Sequence, residues 1–262
     1  MTNSCPITCV ICAYETSSYL EECIRSLLNQ TVHPHILIST STPNNFVTSI
    51  AKKYNLPLFI NSGKADMQDN WNFAYAQAQT PYVTICHQDD YYEPTYIETL
   101  LKPILKDKEN KILLLHTRWK VLKGTHKKQN ICSVIHFGLN LFASFFPSNK
   151  WIRKRALSFG NSIKTPSVCY NKTKLAGPLF TSSYQYACDW DTFLKLTDLV
   201  GNFVYISKPV FLYRISSEAL SNVYIHNNQR AKEDFKIFCT CWPKSIATIL
   251  AKIYTITYSV YK

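Results

Sequence analysis

Up to Arg118 the chain alternates short apolar runs with helical stripes, and this rhythm limits the fold more than any other feature. Ile7 to Cys12, His35 to Ser39, Leu58 to Asn61, Tyr82 to Cys86 and Ile112 to His116 read as strands. Between them, Leu20 to Leu28, Phe46 to Tyr54, Asn70 to Ala78 and Tyr96 to Lys106 have helical periodicity. Ser18 and Glu21 stand at the spacing of a capping box around the start of the first helix. Strands separated by helices are joined by right-handed crossovers, which predicts an α/β fold with a mostly parallel, Rossmann-like sheet and helices on both faces. Such sheets bind ligands beyond the carboxyl ends of their strands. A hydrophobic content of 46 % is ample for that core.

The fourth strand gives the ligand rule a location. In TPYVTICHQDDYYEP, Thr80 to Pro94, it opens onto His87, Gln88 and the neighbouring carboxylates Asp89 and Asp90. Adjacent aspartates repel unless a positive charge lies between or near them. A divalent cation such as Mg2+ or Mn2+ takes oxygen ligands, and one or two carboxylates suffice when substrate phosphates complete its shell. An exposed turn is the plain alternative. A cation bridging a diphosphate would neutralise the charge that builds up as a nucleoside diphosphate departs.

Beyond Arg118 the alternation ends and the charge balance shifts. Lys and Arg number 29 against 17 Asp and Glu, and 13 of the cations fall between Glu109 and Asp189, where no carboxylate occurs. Such a field attracts phosphates, whether on lipid, on an acceptor or on nucleic acid. Val134 to Phe146 is amphipathic, but it is broken by His136 and Asn140 and is too short to span a bilayer. Trp151 to Leu157 reads as a basic helix, Asp189 to Val200 as a helix, and Phe203 to Ile206 and Val210 to Ile215 as two strands. The tail repeats apolar residues at Ile246, Ile249, Leu250, Ile253, Ile256 and Val260, a stripe expected to pack on its own domain, with a membrane interface as the alternative.

Cysteine usage points away from metal or redox chemistry. Cys9 and Cys12 lie in an apolar run with side chains on opposite strand faces, and no second pair follows. The ten cysteines are expected as reduced, mostly buried thiols. MTNSCPITCVICAYE lacks the basic start and the cleavage site of a signal peptide, so a cytoplasmic location is expected.

Four stretches, in order, resemble the family-two inverting glycosyltransferases. CPITCVICAYETSSYLEECIRSLLNQT resembles their opening strand and helix, HQDD their Asp-x-Asp motif, CDWDTFLKL their Glu-Asp motif and YRISSEALSN their Tyr-Arg-x-His segment. Ser-Thr-Pro-Asn after the second strand and Cys-Trp-Pro near the carboxyl end are similar to members acting on bacterial cell-surface polysaccharide. The resemblance implies a GT-A fold with a helical carboxyl-terminal extension. It implies a nucleotide-sugar-binding half over residues 1–118 and an acceptor-binding half over 119–262, within one continuous domain. The implied reaction moves a sugar from a nucleoside-diphosphate sugar, a UDP-sugar foremost, to a hydroxyl of a cell-surface polysaccharide or a lipid-linked oligosaccharide precursor.

Carried over by position, Asp189 would be the general base, and Asp89 and Asp90 would hold Mn2+ or Mg2+. Ala13, Tyr14, Glu15, Ser39, Ser41, Lys64, Asn70, His87 and Asp89 would form the nucleotide-sugar site. The basic segment 111–174 would face an acceptor's diphosphate or an anionic membrane, placing the protein peripherally at the inner face of the cell membrane. No nucleic acid is expected as a partner. On its own Asp189 reads as a helix N-cap, and the cations around it favour its ionised form. The sequence departs from the pattern where His87 stands for the first aspartate, Asp69 for an arginine, Cys188 for the glutamate and Ser216 for the histidine; the usual aspartate after strand two is absent. Two rivals predict other behaviour: a nucleotidyltransferase would release pyrophosphate, and a non-catalytic nucleic-acid or anion-binding module would use the basic segment with Trp119 and Trp151.

Overall fold

The alternation is present in the computed structural model of the protein, which describes residues 4–64, 66–123, 126–128, 131–215, 228–256 and 258. Strands β1 (Ile7–Ala13), β2 (His35–Thr40), β3 (Leu58–Ile60) and β4 (Tyr82–His87) pair in parallel in the spatial order β3-β2-β1-β4. The chain thus winds outward from β1 to β3 and returns to the other side of β1. Its crossovers are α1 (Leu20–Leu28), α2 (Asn45–Lys53) and α3 (Met67–Gln77). After β5 (Tyr91–Tyr92) and α4 (Tyr96–Lys106), the strands β6 (Ile112–Lys123), β7 (His126–Lys128), β8 (Val168–Asn171) and β9 (Asn202–Arg214) extend the sheet as β4-β8-β6-β9-β5, with β7 on β6. This half is mixed, because β8 runs antiparallel to both neighbours while β6 and β9 are parallel.

Both faces of the sheet are covered. Cys9 and Ile11 of β1 pack with α1, α2 and α4, while Val10 between them faces Trp71 and Tyr75 of α3. That side also takes Trp190 and Phe193 of α7 (Cys188–Leu196) and Phe238 of α8 (Gln229–Cys241). Period-two alternation in a strand buried on both sides is what divides the core in this way. Cys9 is fully buried, and the thiols among the described residues are free, as expected of reduced cysteines.

Several local expectations are corrected. The capping box does not form: α1 begins at Leu20 after Tyr19, and Tyr19 N–H donates to Ser17 instead. Glu21 is held elsewhere, accepting from Lys53 Nζ and Tyr54 Oη at 2.6 Å each, which ties α1 to the end of α2. The two strands expected over 203–215 are one strand, β9. Pro209 lies within it and has no N–H to donate, so the ladder with β6 shifts register next to Arg118, its partner. Strands β5, β7 and β8 and helix α8 carry too weak a pattern to be read from the sequence. Ser216 and the rest of the YRISSEALSN stretch, through Asn222, lie outside the described residues.

The tail stripe is the largest correction. α9 (Lys244–Tyr254) packs on α8 through Ala247 and Tyr254, and Leu250 of the stripe packs inward as expected, while Ile246, Ile249, Ile253 and Ile256 are exposed; Val260 lies outside the described residues. Part of the basic segment also has a structural use. Arg153 of α6 (Lys150–Leu157) is buried and donates to the carbonyls of Pro147, Thr197, Leu199 and Gly201, closing the carboxyl end of α7. Lys172 does the same for α3, donating to the carbonyls of Tyr75, Ala76 and Ala78. Cations at helix carboxyl ends satisfy orphan carbonyls and oppose the helix dipole.

Candidate active site

Three parallel strands end at one level, since Cys12 of β1 pairs in register with Ser39 of β2 and His87 of β4. Strand order reverses across β1, so a crevice opens at their carboxyl ends. Gln88 locks its rim: its side-chain amide accepts from the N–H of Tyr14 and donates to the carbonyl of Tyr14, both at 3.0 Å. A cavity of about 520 Å3 runs from Ala13, Tyr14, Ser39 and Asn70 past His87 and Asp89 to Asp189. Asn70 is fixed there by donating to Ser41 Oγ at 2.8 Å and accepting from Asn61 Nδ2 at 2.9 Å. Of the residues expected at the nucleotide-sugar site, Ser41 therefore supports from behind. Glu15 and Lys64 are exposed and lie outside the cavity lining.

At the end of β4 the four motif residues take different positions. His87 stacks on Trp71 with ring centroids 5.3 Å apart, and burial, with Lys164 nearby, pulls its pKa down to about 4. It is a neutral imidazole at pH 7. Asp90 is almost fully buried, accepts the backbone N–H of Arg214 on Oδ1 at 2.9 Å, and is driven well above the carboxylate range first by burial and then by Asp89. Arg214 ties this turn to α1, donating from Nε to the carbonyl of Asp89 at 2.7 Å and from its outer nitrogen to Glu22 at 2.6 Å.

The donor set fits a divalent cation. One ligand atom from each of His87, Asp89 and Asp90 lies within 4.8 Å of the others. Two of these side chains present buried atoms without a hydrogen-bond partner, His87 Nε2 and Asp90 Oδ2. Buried polar atoms left in that state are costly unless something binds them.

The opposite end of the cavity is built by α7 and its neighbours. The helix has no cap of its own, because Ala187 precedes Cys188. Glu233 of α8 supplies one from outside, accepting the N–H groups of Gln185, Tyr186 and Ala187 at 3.2, 2.8 and 2.9 Å. Asp189 is thus a first-turn residue and not the cap. Its Oδ1 accepts from Trp190 N–H at 2.7 Å, and its Oδ2 accepts from Asn161 Nδ2 at 2.9 Å and Thr165 Oγ1 at 3.3 Å. Lys164 does favour the ionised form, as expected of the cationic surroundings, but burial is the larger effect and raises the pKa above the usual aspartate value. Such a carboxylate is a better proton acceptor than an exposed one. Cys188, at the glutamate position of the motif, is fully buried and outside the lining.

Some lining residues had no separable signal in the sequence. Asn161, Lys164 and Thr165 sit in the polar run NSIKTPS, which looks like loop, and Arg230 and Asp234 sit on α8, whose apolar pattern is weak. Asp234 is pushed up to about 6 by burial and accepts from Tyr258 Oη at 2.5 Å.

The sequence profile described as glycosyl transferase family 2 matches residues 8–161. No curated protein matches the sequence. Among solved structures, S. aureus TarS 1-349 in complex with UDP-GlcNAc is 16 % identical with a TM-score of 0.60, the match covering 94 % of this chain and 70 % of that one. The mannosyltransferase PcManGT from Pyrobaculum calidifontis, in complex with GDP-Man and Mn2+, is 15 % identical with a TM-score of 0.59, over 97 % of this chain and 70 % of that one. Glucosyl-3-phosphoglycerate synthase from Mycobacterium tuberculosis, in complex with Mn2+ and UDP-glucose, is 11 % identical with a TM-score of 0.59, over 87 % and 76 %. Against the longer S. aureus TarS structure the match spans only 42 % of that chain. At these identities the likeness is one of fold.

Proposed function

The chain belongs to glycosyl transferase family 2 and has a GT-A fold, and from that premise we propose its donor, acceptor and base. The donor is a nucleoside-diphosphate sugar, a UDP-sugar foremost, and the sugar moves with inversion. The acceptor is a hydroxyl of a cell-surface polysaccharide or of a lipid-linked oligosaccharide precursor. The observation that carries this reading is the single cavity joining the strand-end rim and His87 and Asp89 to Asp189. The nucleotide lies in the amino-terminal half and the acceptor enters from the other.

Asp189 accepts the proton of the acceptor hydroxyl as that oxygen attacks the anomeric carbon from the side opposite the departing diphosphate. Asn161 and Thr165 hold Oδ2, and the Trp190 N–H holds Oδ1, so the carboxylate meets the hydroxyl in a fixed orientation. Lys164, in the lining and close enough to bias both His87 and Asp189, offers positive charge where the diphosphate leaves. Asp89, with Asp90 and His87 beside it, would hold Mn2+ or Mg2+, which when bound supplies charge neutralisation at the diphosphate. Two of the structural neighbours carry Mn2+ together with a nucleotide sugar, which supports that assignment. The basic segment 111–174 favours an anionic partner on the acceptor side, at the inner face of the cell membrane.

Thermal unfolding with UDP, GDP, CDP and dTDP, each with and without Mn2+, tests the donor site. A ligand that binds only the folded state raises the midpoint by mass action. One diphosphate should stabilise the protein in a metal-dependent manner, and Asp89→Ala should abolish the effect. Absence of a shift with every diphosphate refutes the donor assignment.

A further inference from the structure

Two helices of the carboxyl-terminal half are turned inside out. In α5 (Ile131–Ser144) His136 and Asn140 are buried while Val134, Ile135 and Phe142 face outward, as does Phe145 just beyond the helix, with 72 % of its surface exposed. Asn140 is satisfied inside, donating to the carbonyl of Ser162 at 3.2 Å and accepting from its hydroxyl at 2.8 Å. In α9 the buried Tyr254 packs against Trp190 and Phe238, and Ile249, exposed to 60 %, stands between Ile246 and Ile253 on the outer face. Scattered apolar side chains are normal on a protein surface, but contiguous sets mark interaction sites.

The inner sides of these helices meet at one short segment. Asn161 donates its N–H to Tyr254 Oη of α9, and the next residue, Ser162, is the partner of Asn140 in α5, so one short segment joins them. α6 lies alongside. Its Trp151 is 66 % exposed, and Arg155 stacks over the rings of both Trp151 and Trp242. Trp242 in turn donates from Nε1 to the carbonyl of Ser158 and packs on the exposed Phe159.

The charge around this face identifies its occupant. No carboxylate occurs between Glu109 and Asp189, and none after Asp234. Lys244 and Lys252 are exposed on α9, whereas on α6 Lys150 donates to the carbonyl of Asp198 and Lys154 pairs with its carboxylate. A second copy of the chain would bring these cations against their own kind, whereas anionic lipid offers the opposite charge. Aliphatic residues flanked by tryptophan, lysine and arginine are the composition of helices that lie in a membrane interface, with cationic heads reaching the phosphates. Among the described residues no helix is long and apolar enough to cross a membrane.

We propose that α5, α6 and α9 form a docking face for a bilayer containing anionic phospholipid. Ile249, Ile253, Phe142 and Phe145 enter the acyl boundary, while Arg155, Lys244 and Lys252 meet the headgroups. The proposal rests on the membrane part of the reading above and sharpens it from a charge run to a defined face, yet it requires no turnover. Co-sedimentation tests it with vesicles of phosphatidylcholine alone or with about one third phosphatidylglycerol, at about 0.15 M salt. The protein should pellet with the anionic vesicles only. Ile249→Gln with Ile253→Gln should weaken that binding about a hundredfold, and Lys244→Gln with Lys252→Gln about tenfold, with a flatter salt dependence. Both variants should keep the wild-type unfolding midpoint and the diphosphate response, because these side chains are exposed and outside the cavity. Failure of the wild type to bind anionic vesicles, or an unaltered affinity in the isoleucine variant, overturns the proposal. A solution dimer dispersed by the isoleucine changes would also overturn it, assigning the face to a second copy. Vesicle binding that fails while a diphosphate still stabilises the protein would leave the sugar-transfer reading standing.

Discussion

Glu233 braces the segment that leads into Asp189 from outside the cavity lining, and its removal should separate stability from chemistry. Its Oε2 accepts from Tyr186 and Ala187 at 2.8 and 2.9 Å, and its Oε1 from Gln185 at 3.2 Å and from the Gln229 side chain at 3.0 Å. Glu233 is only 8 % exposed, so water does not replace it readily. Backbone bonds to a charged acceptor contribute about 1.5–3 kcal/mol each, and two of the three backbone bonds are well made. Allowing for water at the longer one, Glu233→Ala should cost about 3 kcal/mol, which for a chain of this size is roughly 9 °C in midpoint. Glu233→Gln keeps an oxygen for Tyr186 and Ala187 and turns its NH2 toward Gln185, so about 1 kcal/mol should be lost. Once α7 loses its cap, a shift of Asp189 of about 1 Å would lower kcat roughly a hundredfold in the protein that remains folded. Thermal unfolding by circular dichroism, paired with turnover below the transition, reads both. Equal midpoints for the alanine and glutamine variants, or alanine turnover at the wild-type level, would refute the external-cap argument.

Asp189→Asn should cut turnover about 10²- to 10⁴-fold while leaving the nucleoside-diphosphate shift in thermal unfolding intact, since the proposed base stands at the opposite end of the cavity from the strand-end rim. Because burial raises the Asp189 pKa, turnover should fall as pH drops through a range above that of an ordinary aspartate. Lys164→Ala removes an attraction that lowers this pKa, so the acidic limb of the pH–rate profile should move to higher pH; a limb that stays put or moves down contradicts the geometry. Arg153→Ala leaves buried carbonyls at the end of α7 without a donor and should cost about 3 kcal/mol in urea unfolding. Gln88→Ala unpins the strand-end rim at Tyr14 and should raise KM for the donor with a smaller change in kcat.

The parallel half of the fold was legible because its pattern is periodic and local. β1 to β4 and α1 to α4 appear within a few residues of where the apolar spacing puts them, and the end of β4 brings His87 and Asp89 to the crevice as the strand-end rule requires. What the sequence could not convey was the use made of individual polar groups. Glu21, at the spacing of a cap, is engaged by Lys53 and Tyr54 from the next helix, and the cap of α7 comes from Glu233, 46 residues beyond the Ala187 N–H it accepts. Both are tertiary contacts, and no local window contains both partners. The acid-free basic segment misled in the same way, since Arg153 and Lys172 are drawn inward by helix carbonyls that composition does not reveal.

The two inverted helices show where periodicity itself stops. A helical stripe of apolar residues states that one face is apolar, but not whether that face points toward the core. In α9 it is Ala247, Leu250, Ala251 and Tyr254 that meet the domain, and the two alanines allow the closer approach. Tyr254 fixes the choice: its ring lies against Trp190 and Phe238, and a Cβ on Gly160 would sit 2.5 Å from it, so the glycine leaves room for that ring. Gly160 has φ +138°, a backbone conformation that further resists any larger residue. With the tyrosine seated there, α9 cannot rotate its isoleucines inward without withdrawing an aromatic side chain and its hydrogen bond to Asn161. The isoleucines therefore face outward as a consequence of the packing that also walls the Asp189 end of the cavity.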